Sequence, residues 1–418
     1  MKNNHTPEIR FPGYTRDWEE RKFQDDIVSI QTGTNLLGSE SNDGIPLIKM
    51  GNVQRGYFSL DKLEYIDGSE PVSESDIVNN GDFLFNTRNT LELVGKGATW
   101  FGESGNYAFN SNIARFTFMG INTYFFNYLY NTQKMIKQVR ARAVGTTSVA
   151  AVYPRDLNSM EYKVPSIEEQ SKIGDFFKQL DDTISLHQQE LTTLKQTKQG
   201  FLQKMFPKEG ETVPEIRFAG FSGEWEKSEL RDFVGDVISD GDWIEKEHIH
   251  DSGEYRIIQT GNLGVGTYLD KADNAKYMNK KSFDELKANQ IFPGDILISR
   301  LADPAGRTII LPNISFKMVT AVDVTIIRSN DKFDSNFFVA EMNSNEILNE
   351  VSKQVSGTSH RRISRKNLEK IKINTTSIEE QIKIGNFFKQ LDDTIALHQR
   401  GLDALKDTKQ AFLQKMFV

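Results

Sequence analysis

Two stretches of this 418-residue sequence are rich in cations and free of carboxylates. From Ser104 to Arg155 there is no Asp or Glu, yet Arg115, Lys134, Lys137, Arg140, Arg142 and Arg155 are present. From Val351 to Leu368 the same holds, with Lys353, Arg361, Arg362, Arg365 and Lys366. Each stretch surrounds a loop of small and hydroxyl residues, "GTTSVAAV" (Gly145–Val152) and "SGTSHRRI" (Ser356–Ile363). Cations beside hydroxyls, amides and glycines form a donor set suited to phosphate contact and base reading. A solvated basic face is the plainer reading of either stretch alone. Recurrence at the same place in two diverged halves favours the nucleic-acid reading.

Other chemistry-bearing residues point to less. "LDDT" pairs carboxylates at Asp181/Asp182 and Asp392/Asp393, but they follow an apolar stripe and are expected on a solvated face. His187 and His398 fall on that stripe, where a lone histidine is expected to fix helix register and not to hold a metal. His248 and His250 lie among acids in Asp232–Glu254 with no third ligand, and are read as surface residues. "GNLGVG" (Gly261–Gly266) departs from G-x-G-x-x-G and reads as a turn. The sequence contains no N-P-P-Y or D-P-P-F, no G-x-x-x-x-G-K-[ST] and no H-E-x-x-H. No catalytic residue and no metal site is expected.

The elements that carry these residues are duplicated. Ser166–Phe206 and Ser377–Phe417 align without gaps, with 32 of 41 positions identical. An opening echo precedes each, "PEIRFPGYTRDWE" (Pro7–Glu19) and "PEIRFAGFSGEWE" (Pro214–Glu226). S-x-x-E at Ser166/Glu169 and Ser377/Glu380 is a capping-box signal for a helix start, and Pro207 stops the first copy. The spacing predicts a coiled-coil seam at Ile173, Phe177, Leu180, Ile184, His187, Leu191, Leu194, Lys198, Phe201 and Met205. It repeats at Ile384, Phe388, Leu391, Ile395, His398, Leu402, Leu405, Lys409, Phe412 and Met416. A linker of about eight residues after Phe206 reaches at most ~28 Å, so the second helix is expected to return antiparallel along the first. Such a rod would be ~60 Å long.

Between the helices lie two dissimilar heads with one coarse order. Strand-and-turn segments, "IPLIKMGNVQRGYF" (Ile45–Phe58) and "YRIIQTGNLGVGTY" (Tyr255–Tyr268), share G-N-[VL]-x-x-G. Apolar strands ending on arginine follow, "GDFLFNTR" (Gly81–Arg88) and "GDILISR" (Gly294–Arg300), then a helical stretch and the small-residue loop. The expected fold is mixed α and β, with two globular recognition domains joined by two long helices in an antiparallel coiled coil, a pseudo-two-fold internal repeat. The expected boundaries are 1–165 for the first domain and 166–206 for its helix. Linker and second domain take 207–376, and the second helix 377–418.

The pattern G-x-[ST]-x-x-x-[IV], a leucine about five residues on, then P-S-I-E-E-Q-x-K-I resembles the specificity subunit of type I restriction–modification systems. It stands here as Gly145–Val152 (one residue longer than the pattern), Leu157 and Pro165–Ile173, and again as Gly357–Ile363, Leu368 and Ser377–Ile384. The resemblance runs along essentially the whole chain; Asn374-Thr375-Thr376 replaces the proline-containing approach to the second helix. It implies that each head reads half of a bipartite, asymmetric double-stranded DNA site. It also implies that two methyltransferase subunits dock on the helices and that two motor–nuclease subunits complete the restriction enzyme. S-adenosylmethionine, ATP and Mg would belong to those partners, and this chain would bind no cofactor.

On that reading the first half-site is contacted by Asn52, Gln54, Arg55, Tyr57, Arg88, Asn89, Thr146, Thr147 and Ser148. The second is contacted by Gln259, Asn262, Arg300, Ser359, His360, Arg361 and Arg362. Arg and Lys can pair with guanine, Asn and Gln with adenine. The strand-end arginines Arg88 and Arg300 have a second reading, as structural partners of buried carboxylates. A net charge of −7 argues against nucleic acid only if charge is evenly spread, which it is not. The absence of cysteine removes disulfides and thiolate metal sites and fits a reducing cytoplasm. No run approaches eighteen apolar residues, so neither membrane span nor leader is expected. Two rival classes stay open: an assembly scaffold that reads no DNA, and a self-contained methyltransferase, which the missing motifs disfavour.

Overall fold

A computed structural model describes residues 6–41, 43–357 and 361–417. It divides into two compact units, one within 1–188 and 400–418, the other within 189–399. The units cut across both long helices, Ile167–Lys204 and Ile378–Lys415, so each unit holds the start of one and the end of the other. Among the described residues no helix is long and apolar enough to cross a membrane.

The helices pair antiparallel in each unit because their aromatic ends interlock. In the first unit Phe176 meets Phe412 edge-on at 5.2 Å, and Phe177 stacks on Phe417 at 5.8 Å. In the second, Phe201 meets Phe387 at 4.9 Å and Phe206 stacks on Phe388 at 5.9 Å. Every heptad seam position is buried or half-buried, whereas Leu186 and Leu397, one step off the stripe, are 56% and 62% exposed. The seam lysines are not idle. Lys409 pairs with Asp181, and Lys198 with Asp392 at 2.5 Å. The first aspartate of each "LDDT" is therefore a cross-helix partner and not a solvated charge, correcting the sequence expectation. The second, Asp182 or Asp393, pairs along its own helix with Lys178 or Lys389 at 2.6 Å.

The opening echo is a clasp on these helix ends. In the first unit the Ile9 N–H donates to the Lys415 carbonyl at 3.0 Å, satisfying a last-turn acceptor that the helix leaves without a partner. Arg10 forks onto Glu169 with two bonds of 2.7 Å, and Phe11 lies edge-on to Phe176. In the second unit Ile216 donates to Lys204 at 2.8 Å, Arg217 forks onto Glu380, and Phe218 meets Phe387. Glu8–Lys415 and Glu215–Lys204 repeat as well. The capping box is consequently half formed. Ser166 and Ser377 accept the N–H of Glu169 and Glu380, but both carboxylates face arginine, Glu380 also taking the Thr376 hydroxyl.

Each head packs a short helix against the start of its long helix, Thr123–Tyr130 in one and Ser335–Met342 in the other. Gly174 and Gly385 make the approach possible. A Cβ at Gly174 would lie 2.7 Å from the Phe125 nitrogen, and one at Gly385 2.7 Å from the Phe337 nitrogen. Beneath these helices sits a four-stranded antiparallel sheet in the order Ile27–Thr32, Ile113–Phe118, Phe83–Asn86, Gly97–Thr99. Its counterpart runs Ile238–Asp240, Val324–Ile327, Ile296–Ser299, Thr308–Ile310. Phe83, Phe85, Phe116 and Phe126 fill the first core; Ile296, Ile298, Ile327 and Phe338 fill the second.

Candidate nucleic-acid interface

The strand Phe83–Asn86 continues into Arg88–Asn89, which pairs with Ala150–Ala151 of the hairpin whose other arm is Val144–Gly145. Thr146, Thr147 and Ser148 form the exposed tip, closed by Thr146 N–H to Val149 O at 2.8 Å. The Arg88 side chain is exposed and has no hydrogen-bond or ion-pair partner among the described residues. Thus Arg88, Asn89 and Thr146–Ser148, far apart in sequence, share one small sheet.

The second unit builds the same sheet from isolated bridges, Leu301 to Arg362 and Arg362 to Ser356. Arg361 is exposed beside it, while Arg362 pairs with Asp323 at 2.9 Å. Ser359 and His360 lie outside the described residues.

Arg88 and Arg300 are not equivalents. Thr87 N–H donates to Asn112 O and its carbonyl accepts Val152 N–H; Arg300 does the same with Asp323 O and Ile363 N–H. Arg300 therefore stands where Thr87 does, and Leu301 where Arg88 does. One residue along a strand reverses the side chain's face. Arg300 is 3% exposed, bonded to Val322 O and 3.4 Å from Asp240, so it is a structural arginine and not a base reader.

The shared G-N turn also corrects two expectations. Asn52 accepts the Lys49 N–H at 2.8 Å and donates to Ser59 O and Lys62 O; Asn262 accepts the Gln259 N–H and donates to Leu269 O. Both are buried and hold the turn closed, which leaves no amide edge for a base. Gly56 and Gly266 sit at φ 82° and 74°, the conformation this turn demands. Of the turn residues expected to meet bases, Tyr57 in the first unit and Gln259 in the second are exposed.

A cationic cluster flanks the first turn. Arg55 and Arg140 both point at the Glu92 carbonyl, at 3.5 and 3.0 Å, and Lys96 donates to Gln54 at 2.5 Å. None of the three cations has an ion pair among the described residues. Burial, then Arg140, holds the Arg55 guanidinium below its ordinary pKa; burial, then Arg55, does the same to Lys96. Lys96 was missed in the sequence because it precedes the acid-free stretch. Conversely, several cations of those stretches have structural partners: Arg115 pairs with Asp82 at 3.0 Å, Arg142 bonds Ser159, and Arg365 pairs with Glu369 at 2.8 Å. His248 is buried and bonded to Ser282 at 3.0 Å, and is therefore not the surface residue expected; His250 meets Asn279. In the second unit His398 lies 3.5 Å from Glu190.

A family model described as the type I restriction modification DNA specificity domain matches residues 15–196 and again 222–407. A Methanocaldococcus jannaschii protein named as the type I restriction enzyme MjaX specificity subunit is 25% identical, covering 95% of this chain and 92% of its own. The MjaVIII specificity subunit of the same organism is 21% identical over 68% of each chain. Among solved structures, the type I restriction–modification S subunit from M. genitalium matches over 99% of both chains, with TM-score 0.65 and 13% identity. A chain from a study of complex assembly in the type I R-M system matches over 98% of this chain and 99% of its own, with TM-score 0.52 and 17% identity. The chain belongs to the family of type I restriction–modification DNA specificity subunits.

Proposed function

We propose that each unit reads one half of a bipartite DNA site, and that the paired helices set the gap between halves. In this reading two methyltransferase subunits dock on the helices and methylate adenine at N6, with S-adenosylmethionine bound by those subunits. Two ATP- and Mg-dependent motor–nuclease subunits complete the restriction enzyme. The chain itself contributes recognition and no catalytic group.

One observation carries the proposal: clasp, seam and glycine contacts repeat residue for residue, while the sequences of the two loops, Gly145–Val152 and Ser356–Ile363, differ. Selection for identical docking with different reading would leave that pattern. The base-facing set is then Tyr57, Arg88, Asn89 and Thr146–Ser148 in one head, with Gln259, Arg361 and Arg362 in the other. Arg55, Lys96 and Arg140 would take a phosphate, since an uncompensated cation cluster gains most from an anion. The test is an electrophoretic shift with duplex DNA and the methyltransferase subunit across several salt concentrations. A retarded complex whose affinity falls steeply with salt is expected. No shift at any salt, with the protein complex intact, would favour the assembly scaffold.

A further inference from the structure

In the first unit Tyr128 plugs the angle between its short helix and the paired long helices. Its ring lies 4.9 Å from the Phe177 ring, its hydroxyl donates to Asp181 Oδ2 at 2.9 Å, and the Lys409 ammonium sits 5.6 Å over its face. The second unit repeats the surroundings without the plug. The short helices are matched by Phe125 and Phe337, which abut Gly174 and Gly385, and by Asn131 and Asn343, whose amides bond Gly97 O and Thr308 O. That register puts Ala340 in the place of Tyr128.

A cavity of about 410 Å³ opens there, bordered by Ala340, Phe388, Lys198, Asp392, Asn336 and Ile395. Phe388, Lys198 and Asp392 are the duplicates of Phe177, Lys409 and Asp181. Lys198 holds Asp392 Oδ1, and Oδ2, the atom that receives the tyrosine hydroxyl in the other unit, has no hydrogen-bond partner among the described residues. Burial raises the Asp392 carboxyl pKa, which a donated O–H would oppose.

We infer that this cavity is a preformed binding site for a phenol ring, stacked on Phe388, under Lys198, with its hydroxyl donating to Asp392. Stacking, cation–π contact and a charge-assisted hydrogen bond are each favourable in a partly desolvated niche. The volume falls within the range of small-ligand pockets. A tyrosine side chain of a docking chain and a free small phenol present the same chemistry.

The test is calorimetric titration of the full chain with p-cresol, the tyrosine side-chain analogue, and with toluene as its hydroxyl-free counterpart. One saturable p-cresol site is expected, with toluene at least about tenfold weaker for lack of the carboxylate bond. Ala340→Tyr should fill the cavity and abolish binding, and Ala340→Phe, filling without a hydroxyl, should do the same. Tyr128→Ala should create a second site. Absence of saturable binding, or p-cresol binding unchanged in a folded Ala340→Tyr or Ala340→Phe chain, would overturn the inference. Loss of methyltransferase-subunit affinity in Ala340→Tyr identifies a partner tyrosine as the natural occupant; unchanged assembly identifies a free phenol. Because p-cresol binding needs no DNA, its outcome is separate from that of half-site reading.

Discussion

Glu341 is fully buried in the second head, its carboxylate accepts the Asn374 N–H, and desolvation pushes its pKa up to about 8. Between the ordinary 4.5 and about 8 the folded chain binds the extra proton, so stability falls as pH rises through that window. Glu341→Gln keeps the acceptor, removes the titration and should flatten urea-unfolding free energy between pH 5.5 and 8.5. An unchanged slope would place the titration elsewhere. Arg88→Ala and Arg361→Ala remove exposed cations whose side chains have no partner among the described residues, so each should lower the salt slope of DNA affinity by roughly 0.9 and leave the unfolding midpoint alone. Arg300→Ala should instead destabilise the head, because it strips a buried cation from Asp240. This residue-level difference was illegible in the sequence. "NTR" and "ISR" look alike as strings, and only the hydrogen-bond register shows them offset by one. Likewise, a stretch without acids in sequence is not without acids in space: Asp323 and Glu369 reach Arg362 and Arg365 from outside it.

At the scale of elements, the heptad stripe and the echo were legible because a 3.5-residue period and a verbatim repeat are one-dimensional signals. The clasp was not, since Arg10 and Glu169 lie 159 residues apart. Breaking it leaves Glu169 buried without its counter-charge: Arg10→Met should cost about 3 kcal/mol in unfolding experiments. Alanine at Gly174 or Gly385 would be neutral or mildly stabilising on helix propensity alone. With backbone 2.7 Å from the new Cβ, it should destabilise by about 1–3 kcal/mol and loosen the short helix. The seam lysines differ in a measurable way. Lys409→Met leaves Asp181 the Tyr128 hydroxyl, whereas Lys198→Met leaves Asp392 with no replacement donor among the described residues. The second change should be costlier by about 1 kcal/mol. Equal losses would contradict the assigned partners.

For the whole molecule, near-identity of helices between unlike heads is what a shared ruler with interchangeable probes requires. Composition alone pointed the other way: a chain of net charge −7 is a poor polyanion binder until its charges are placed. Adding one heptad to each long helix at matched positions should lengthen the gap between half-sites and leave the bases read in each half unchanged. The most direct test maps N6-methyladenine in DNA from cells carrying this chain with its methyltransferase partner, then repeats the map after exchanging one head for that of a relative. Two short specified segments separated by a fixed unspecified gap, with only one segment changing on exchange, is the expected result. A single contiguous motif, or alteration of both segments at once, would contradict half-site reading.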